Sequence, residues 1–412
     1  MITAEILAIG DELIHGALLD TNSKFLAGEL EARGVVVRRF AVLSDDPHVM
    51  REGIAEACAR ADVVVATGGL GPTLDDRTRE VVAALLGVQQ RFDEPSWQQI
   101  LDYMQQRKRP VPESNRRQAM LPEGARPLRN PVGTAPGFAV RIGRAEFFAM
   151  PGVPREMVRM LQDHVLPAVS AMPGLTPVAQ RWLRVLGPSE ALLGERIEPY
   201  MVAGRNPAVG ITASGGLLTI RIVATAATAA AADTAAEVTA AELRPMLGKW
   251  LFAEGTVELP ELLVQRGTAA GRTLAFAESC TAGLLAARLV DVAGASAMFA
   301  GGVVAYADAA KRDLLGVPAD LLAAHGAVSE PVAAAMAEGA RRRFASDLAA
   351  ATTGIAGPGG GTPDKPVGTV CFALAGPAGT RAWTVPIPDL GRAFIRDRAV
   401  LEVWRALLEA LA

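Results

Sequence analysis

Ser279, Cys280 and Thr281 stand in a row between Glu278 and Ala282-Gly283. The apolar run Thr273–Ala277 before them reads as a buried strand, and the apolar residues at 284, 285, 289 and 292 after them read as a helix. Three polar side chains therefore sit at a strand-to-helix turn, at the carboxyl end of a strand, where open α/β sheets receive ligands. The first helical turn adds free backbone N–H groups and the positive end of the helix dipole, suited to an anion or an oxyanion. Ser279 or Thr281 can equally serve as a plain helix cap. A second constellation is Thr67-Gly-Gly-Leu-Gly-Pro-Thr-Leu-Asp-Asp-Arg-Thr78. Gly68, Gly69 and Gly71 let the backbone approach a ligand closely and turn N–H groups inward. Asp75 and Asp76 can hold a hard cation that bridges phosphate oxygens. The alternative is a plain turn with solvated aspartates.

Both constellations need strands behind them. In the first part of the chain, Glu5–Ile9 is a short apolar strand that runs into Gly10-Asp11-Glu12. A helix is predicted over 21–30, capped at Thr21 or Asn22, and a strand over 35–42. Ser44-Asp45-Asp46-Pro47 opens another helix, and the β-branched run at 61–66 is a buried strand that discharges into the glycine-rich loop. A helix over 80–86 follows. This alternation predicts a doubly wound parallel sheet. The stretch from Asn115 to Gly137, with Asn130-Pro-Val-Gly-Thr-Ala-Pro-Gly137, is loop-rich; strands at 138–141 and 146–150 pair through a tight turn, and Pro151–Glu156 opens a helix. Residues 181–254 read as a small α+β unit whose Ala-rich helix at 229–247 carries no catalytic constellation. The last part holds strands at 300–306, 348–353, 367–374 and 380–387, helices opening at Asp308 and after Ser329, and a closing helix over 390–411 with Arg392, Arg396 and Arg398.

Composition removes several function classes. The 41 basic and 44 acidic residues give a net charge of −3, which argues against direct nucleic-acid binding by the whole chain. Cys58, Cys280 and Cys371 are too far apart for a disulfide framework or a Cys-x-x-Cys site, and the four histidines show no ligand spacing. No signal-peptide pattern opens the chain, and the longest Ala-rich run is too short to span a bilayer, so a soluble cytoplasmic protein with no membrane partner is expected. At 412 residues, two or three domains are expected.

Further segments carry a family resemblance. Glu278-Ser-Cys-Thr-Ala-Gly283, Gly301-Gly-Val-Val-Ala-Tyr306 with Lys311, Gly326-Ala-Val-Ser329 and Thr353-Gly-Ile-Ala-Gly-Pro358 with Lys365-Pro-Val-Gly368 resemble the CinA carboxy-terminal domain, a family that includes bacterial nicotinamide mononucleotide (NMN) amidohydrolase. Gly10-Asp-Glu12, Thr67–Thr73 and Asp75-Asp76 resemble the CinA amino-terminal domain, and the middle unit is similar to the family's KH-like domain. The resemblance implies an α/β chain in three parts: a doubly wound molybdopterin-binding-like domain at 1–172, a KH-like α+β domain at 178–256 and a CinA amidohydrolase domain at 257–412. It implies two small-molecule substrates, NMN and ADP-ribose, and a homodimer. The one departure is Ala282, where the family usually has a second glycine.

The resemblance also implies roles. In the last domain Ser279 is the nucleophile on the NMN carboxamide, releasing ammonia and nicotinate mononucleotide, with no cofactor. No histidine lies near these motifs, so Lys311 is the base, a role that needs burial or nearby positive charge to leave a neutral amine. Tyr306 orients the ring, and Thr353 with the Gly354–Gly357 backbone holds the amide or ribose. Arg396 clamps the phosphate. Glu278, Cys280 and Thr281 complete the substrate-binding set, although Cys280 also reads as a second nucleophile or a packing residue, and Lys311 as a solvated lysine. In the first domain Asp76, with Asp75, Asp11 and Asp45, holds a divalent cation, magnesium or a transition metal, for cleavage of ADP-ribose to AMP and ribose 5-phosphate. Gly68, Gly69, Gly71 and Asn130 belong to that site. The rival reading is a non-catalytic nucleotide- or pterin-binding scaffold related to competence.

Overall fold

The computed structural model describes residues 2–411, which pack as two compact units. One comprises residues up to Gln180 together with Val223–Thr239; the other comprises Arg181–Ile222 and the residues from Ala240 on.

The first unit is built on β1 (Thr3–Ile9), β2 (Val36–Leu43), β3 (Val63–Thr67), a two-stranded pair β4 (Gln90–Phe92) and β5 (Met120–Pro122), and then β6 (Arg126–Leu128), β7 (Gly137–Ile142) and β8 (Ala145–Met150). The main sheet has the order β2-β1-β3-β8-β7-β6. Its first four strands are parallel, as the alternating pattern predicts. β7 is antiparallel to β8, because the Gly143 turn between them is too short for the crossover that a parallel pair needs, and β6 is antiparallel to β7. Side chains alternate between two buried faces. Leu7, Val64, Ala66 and Phe147 pack against the helices Pro47–Arg60 and Thr78–Leu86. Ile6, Val63, Val65 and Phe148 pack against Asn22–Glu31 and the helical stretch from Pro154 to Ser170. The helix predicted at 21–30 starts with Thr21 at the cap position, but Asp20 supplies the capping oxygen, accepting from the Ser23 N–H at 2.9 Å. The helix Glu94–Gln106 has no counterpart in the sequence reading.

Strands β9 (Val178–Val185), β10 (Ala208–Ser214), β11 (Leu217–Thr225) and β12 (Leu251–Glu254) form a sheet in the order β10-β11-β9-β12, with the helix Ala229–Leu247 at the predicted limits.

The last sheet contains β13 (Leu274–Glu278), β14 (Phe299–Val304), β15 (Leu348–Gly354), β16 (Thr369–Gly376) and β17 (Gly379–Pro386), in the order β14-β13-β15-β16-β17. β14, β13 and β15 are parallel and the two final strands antiparallel. Its two faces differ in size. Leu274, Phe276, Ala350 and Phe372 pack with Trp404 and the closing helix Arg392–Ala410. The other face carries Ala275, Ala277, Ala349, Ala351, Ala373 and Ala375 against the helix Glu330–Phe344. Small side chains let that helix lie close to the sheet, which fixes the loops at the strand ends.

Candidate active site

The carboxyl ends of β13, β14 and β15 open on a cavity of about 170 Å³. Ser279 enters it because β13 continues one residue past Glu278: the Ser279 N–H donates to the Thr352 carbonyl at 2.9 Å. Among the described residues, no hydrogen bond holds the Ser279 hydroxyl. Lys311, from the helix Asp308–Leu315, reaches the same cavity with only 1% of its surface exposed. This is not the solvated lysine that a short amphipathic helix suggests. Its Nζ donates to the Tyr306 carbonyl at 3.0 Å and lies 3.4 Å from Asp308 Oδ1. Thr353 lines the wall and donates its hydroxyl to the Ala327 carbonyl at 2.8 Å, and Gly354 lies beside it. Cys280 also reaches the cavity, but burial pushes its thiol up to about 11, so almost no thiolate exists at neutral pH.

Four expected residues stand around the cavity without lining it. Glu278 is buried, and its carboxylate accepts the N–H groups of Gly283, Leu285 and Ala286 at 2.9, 3.1 and 3.0 Å. It caps the helix Leu284–Val290, the task for which Ser279 or Thr281 is the alternative candidate from sequence. The Thr281 hydroxyl pairs with that of Thr352 at 2.7 Å inside the core. Arg396 is bound to the Thr281 carbonyl at 2.8 Å. Gly357 holds Arg392, whose guanidinium donates to its carbonyl and to the Tyr306 hydroxyl, each at 3.0 Å. Arg392 does line the cavity, and the sequence reading passed over it one helical turn from Arg396. Its place next to Gly391, at the start of the closing helix, is the only signal that could have found it.

The first unit holds a larger cavity of about 750 Å³ at the carboxyl ends of β1, β3 and β8. Gly68, Gly69, Gly71, Asp45, Asp75 and Asp76 line it. The protein itself demands all three glycines: a Cβ at Gly68 would strike the Ile9 carbonyl, one at Gly69 the Thr78 hydroxyl and one at Gly71 the Asp76 carboxylate. Asp76 holds the turn, accepting the Gly71 and Thr73 N–H groups at 2.7 and 2.9 Å and the Thr73 hydroxyl. Asp11 and Asp45 exchange N–H-to-carboxylate bonds at 3.0 and 3.1 Å. Burial raises the Asp45 carboxyl above the ordinary range, and the charges of Asp11, Glu12 and Asp75 add to the rise. Among the described residues, no three Asp, Glu, His or Cys side chains converge into a ready metal cage. Three of the four aspartates expected as ligands line this cavity and Asp11 stands beside it, but Asp11, Asp45 and Asp76 already accept backbone N–H groups.

Asn130 is fully buried behind this cavity. Its amide donates to the Ala135 carbonyl at 2.9 Å and to Glu156 Oε2 at 2.6 Å. It therefore positions Glu156, which lines the cavity and whose carboxyl burial raises. Arg79, also missed by sequence, lies buried under the glycine-rich loop and donates to the Leu70 carbonyl.

Comparison with known proteins covers the chain in three segments. Residues 256–411 match the family described as CinA C-terminal domain, 5–171 the probable molybdopterin binding domain, and 180–253 the damage-inducible protein CinA KH domain. A CinA-like protein of Anaeromyxobacter sp. strain Fw109-5 is 46% identical over 92% of this chain and 92% of its own length. A CinA-like protein of Frankia casuarinae is 43% identical over 99% of this chain and 96% of its own. Among solved structures, the competence/damage inducible protein CihA from Agrobacterium tumefaciens is 42% identical, covering 38% of this chain and 94% of that one, with a TM-score of 0.35.

Proposed function

The chain belongs to the family of CinA-like proteins, and on that premise we propose that its smaller cavity hydrolyses the carboxamide of NMN to nicotinate mononucleotide and ammonia. The observation that carries this reading is that Ser279 and Lys311, residues 32 positions apart in sequence, line one cavity with Tyr306 and Thr353. Ser279 Oγ attacks the amide carbon while the neutral amine of Lys311 takes its proton. The oxyanion lies at the turn, where the N–H groups of Cys280 and Thr281 donate to no backbone carbonyl among the described residues. Collapse of the tetrahedral adduct breaks the C–N bond, and the Lys311 proton leaves with ammonia. Water then hydrolyses the ester on Ser279, with Lys311 again accepting a proton. Arg392 takes the phosphate role that the family resemblance gave to Arg396, since Arg392 lines the cavity and Arg396 holds the Thr281 carbonyl.

The larger cavity is proposed to cleave ADP-ribose to AMP and ribose 5-phosphate. Asp45 and Asp75 offer hard oxygen donors under mutual repulsion, a set that suits a divalent cation sharing its remaining positions with substrate phosphates. Such a cation, when bound, neutralises the phosphates and polarises phosphorus toward water. The chain's own part is to bring the Gly68–Gly71 backbone against the diphosphate. A homodimer is proposed on the family resemblance and is read by light scattering. Product analysis tests the enzymatic reading. NMN should yield nicotinate mononucleotide, and ADP-ribose with magnesium should yield AMP. A folded protein that binds nucleotides and converts neither would instead be a scaffold.

A further inference from the structure

The charges around the smaller cavity are unevenly matched. Arg392 brings a guanidinium to its wall beside the Lys311 amine, and Asp308 is the one carboxylate there. Asp308 is loosely engaged. One oxygen lies 3.4 Å from Lys311 Nζ, and the side chain is 64% exposed. Lys311 also has the Tyr306 carbonyl, at a shorter 3.0 Å. The Tyr306 ring, two residues before Asp308, is 58% exposed and stacks on no other ring among the described residues. An accessible carboxylate next to an open aromatic face is the arrangement that receives an organic cation, one part by charge pairing and the other by the ring quadrupole. Without Asp308, a cationic ring brought up to Ser279 would meet the like charge of Arg392 and no carboxylate of the cavity wall.

We propose that Asp308 makes this site selective for a carboxamide carried on a positively charged ring, a quaternised pyridinium, over the same carboxamide on an uncharged ring. The inference rests on the amidohydrolase reading and narrows its substrate class. It concerns ground-state recognition, so Asp308 takes no proton in the reaction and forms no bond to the reacting carbon.

The test is equilibrium binding of NMN and of its 1,4-dihydro form, which keeps the amide, ribose and phosphate but lacks the ring charge. The full chain carrying Ser279→Ala, which prevents turnover, serves as parent. It should bind NMN about tenfold more tightly than the dihydro form. Adding Asp308→Asn should weaken NMN about tenfold and leave the dihydro form within about twofold, and Asp308→Glu should restore part of the difference. Equal weakening of both ligands would mean that Asp308 merely supports Lys311, and the proposal falls. No change in either falls the same way. A parent that binds neither nucleotide, with an unchanged unfolding midpoint, removes the amidohydrolase reading and this inference with it.

Discussion

Ala282 shows what one methyl group does at the Ser279 turn. Its φ is +51°, in the left-handed region, and Gly283 follows at +91°. The Cβ of an L-residue there costs about 1–2 kcal/mol, offset in part by the lower freedom of alanine in the unfolded chain. Ala282→Gly should therefore stabilise the protein by about 1 kcal/mol, read as a rise in the urea midpoint. An unchanged or lowered midpoint would mean that the turn relaxes around the methyl group. Cys280 separates the two candidate nucleophiles. Since burial keeps its thiol protonated, Cys280→Ser should retain NMN turnover within about threefold, and the native thiol should resist iodoacetamide at pH 7. Rapid alkylation with loss of turnover would transfer the nucleophile role to Cys280.

At the scale of elements, the strand ends are set by carboxylates. Glu278 gathers three N–H groups at the start of the helix Leu284–Val290, so Glu278→Ala should cost about 2–3 kcal/mol and disorder the Ser279 turn. Glu278→Gln, which keeps one acceptor oxygen, should cost less; calorimetry of the two variants checks the order. At the other end of the sheet, Asp347 accepts the Thr273 N–H at 2.8 Å and the Thr273 hydroxyl at 2.9 Å, tying the start of β15 to that of β13. The Thr273 N–H, first, holds the Asp347 carboxyl below its ordinary range. A depressed folded value means stability that is present above the unfolded value of about 4 and lost as pH falls through the folded one. Asp347→Asn should thus lower the urea midpoint at pH 7 and converge with the wild type near pH 3; a gap independent of pH would contradict the assignment. The strands themselves were legible from their apolar runs, because a strand buried on both faces needs no partner to be recognised. The capping was not. Asp20 and Glu278 act from outside the helices they serve, and no local pattern separates a carboxylate that accepts three N–H groups from one that faces a ligand. Asn130 looks like a binding residue for the same reason: its loop is chemical in composition, but the amide itself is fully buried beneath Glu156. Arg392 and Arg396 are one turn apart, and only the backbone carbonyls of Gly357 and Thr281 decide which of them reaches the cavity.

For the whole molecule, two cavities belong to two compact units, and no described helix is long and apolar enough to cross a membrane. The chemistry proposed for each cavity uses residues of its own unit. Asp75→Asn with Asp76→Asn should therefore reduce ADP-ribose hydrolysis at least about tenfold while leaving NMN turnover within about twofold. Loss of both activities together would mean that the units share their chemistry. The central claim concerns the smaller cavity, where a serine at a strand end meets a buried lysine. Ammonia release from NMN by the wild-type chain, Ser279→Ala and Lys311→Ala, followed with each variant's unfolding midpoint, tests it most directly. Steady release by the wild type and a fall of at least about a thousandfold in both folded variants is the predicted result. Turnover that survives in Ser279→Ala would contradict it.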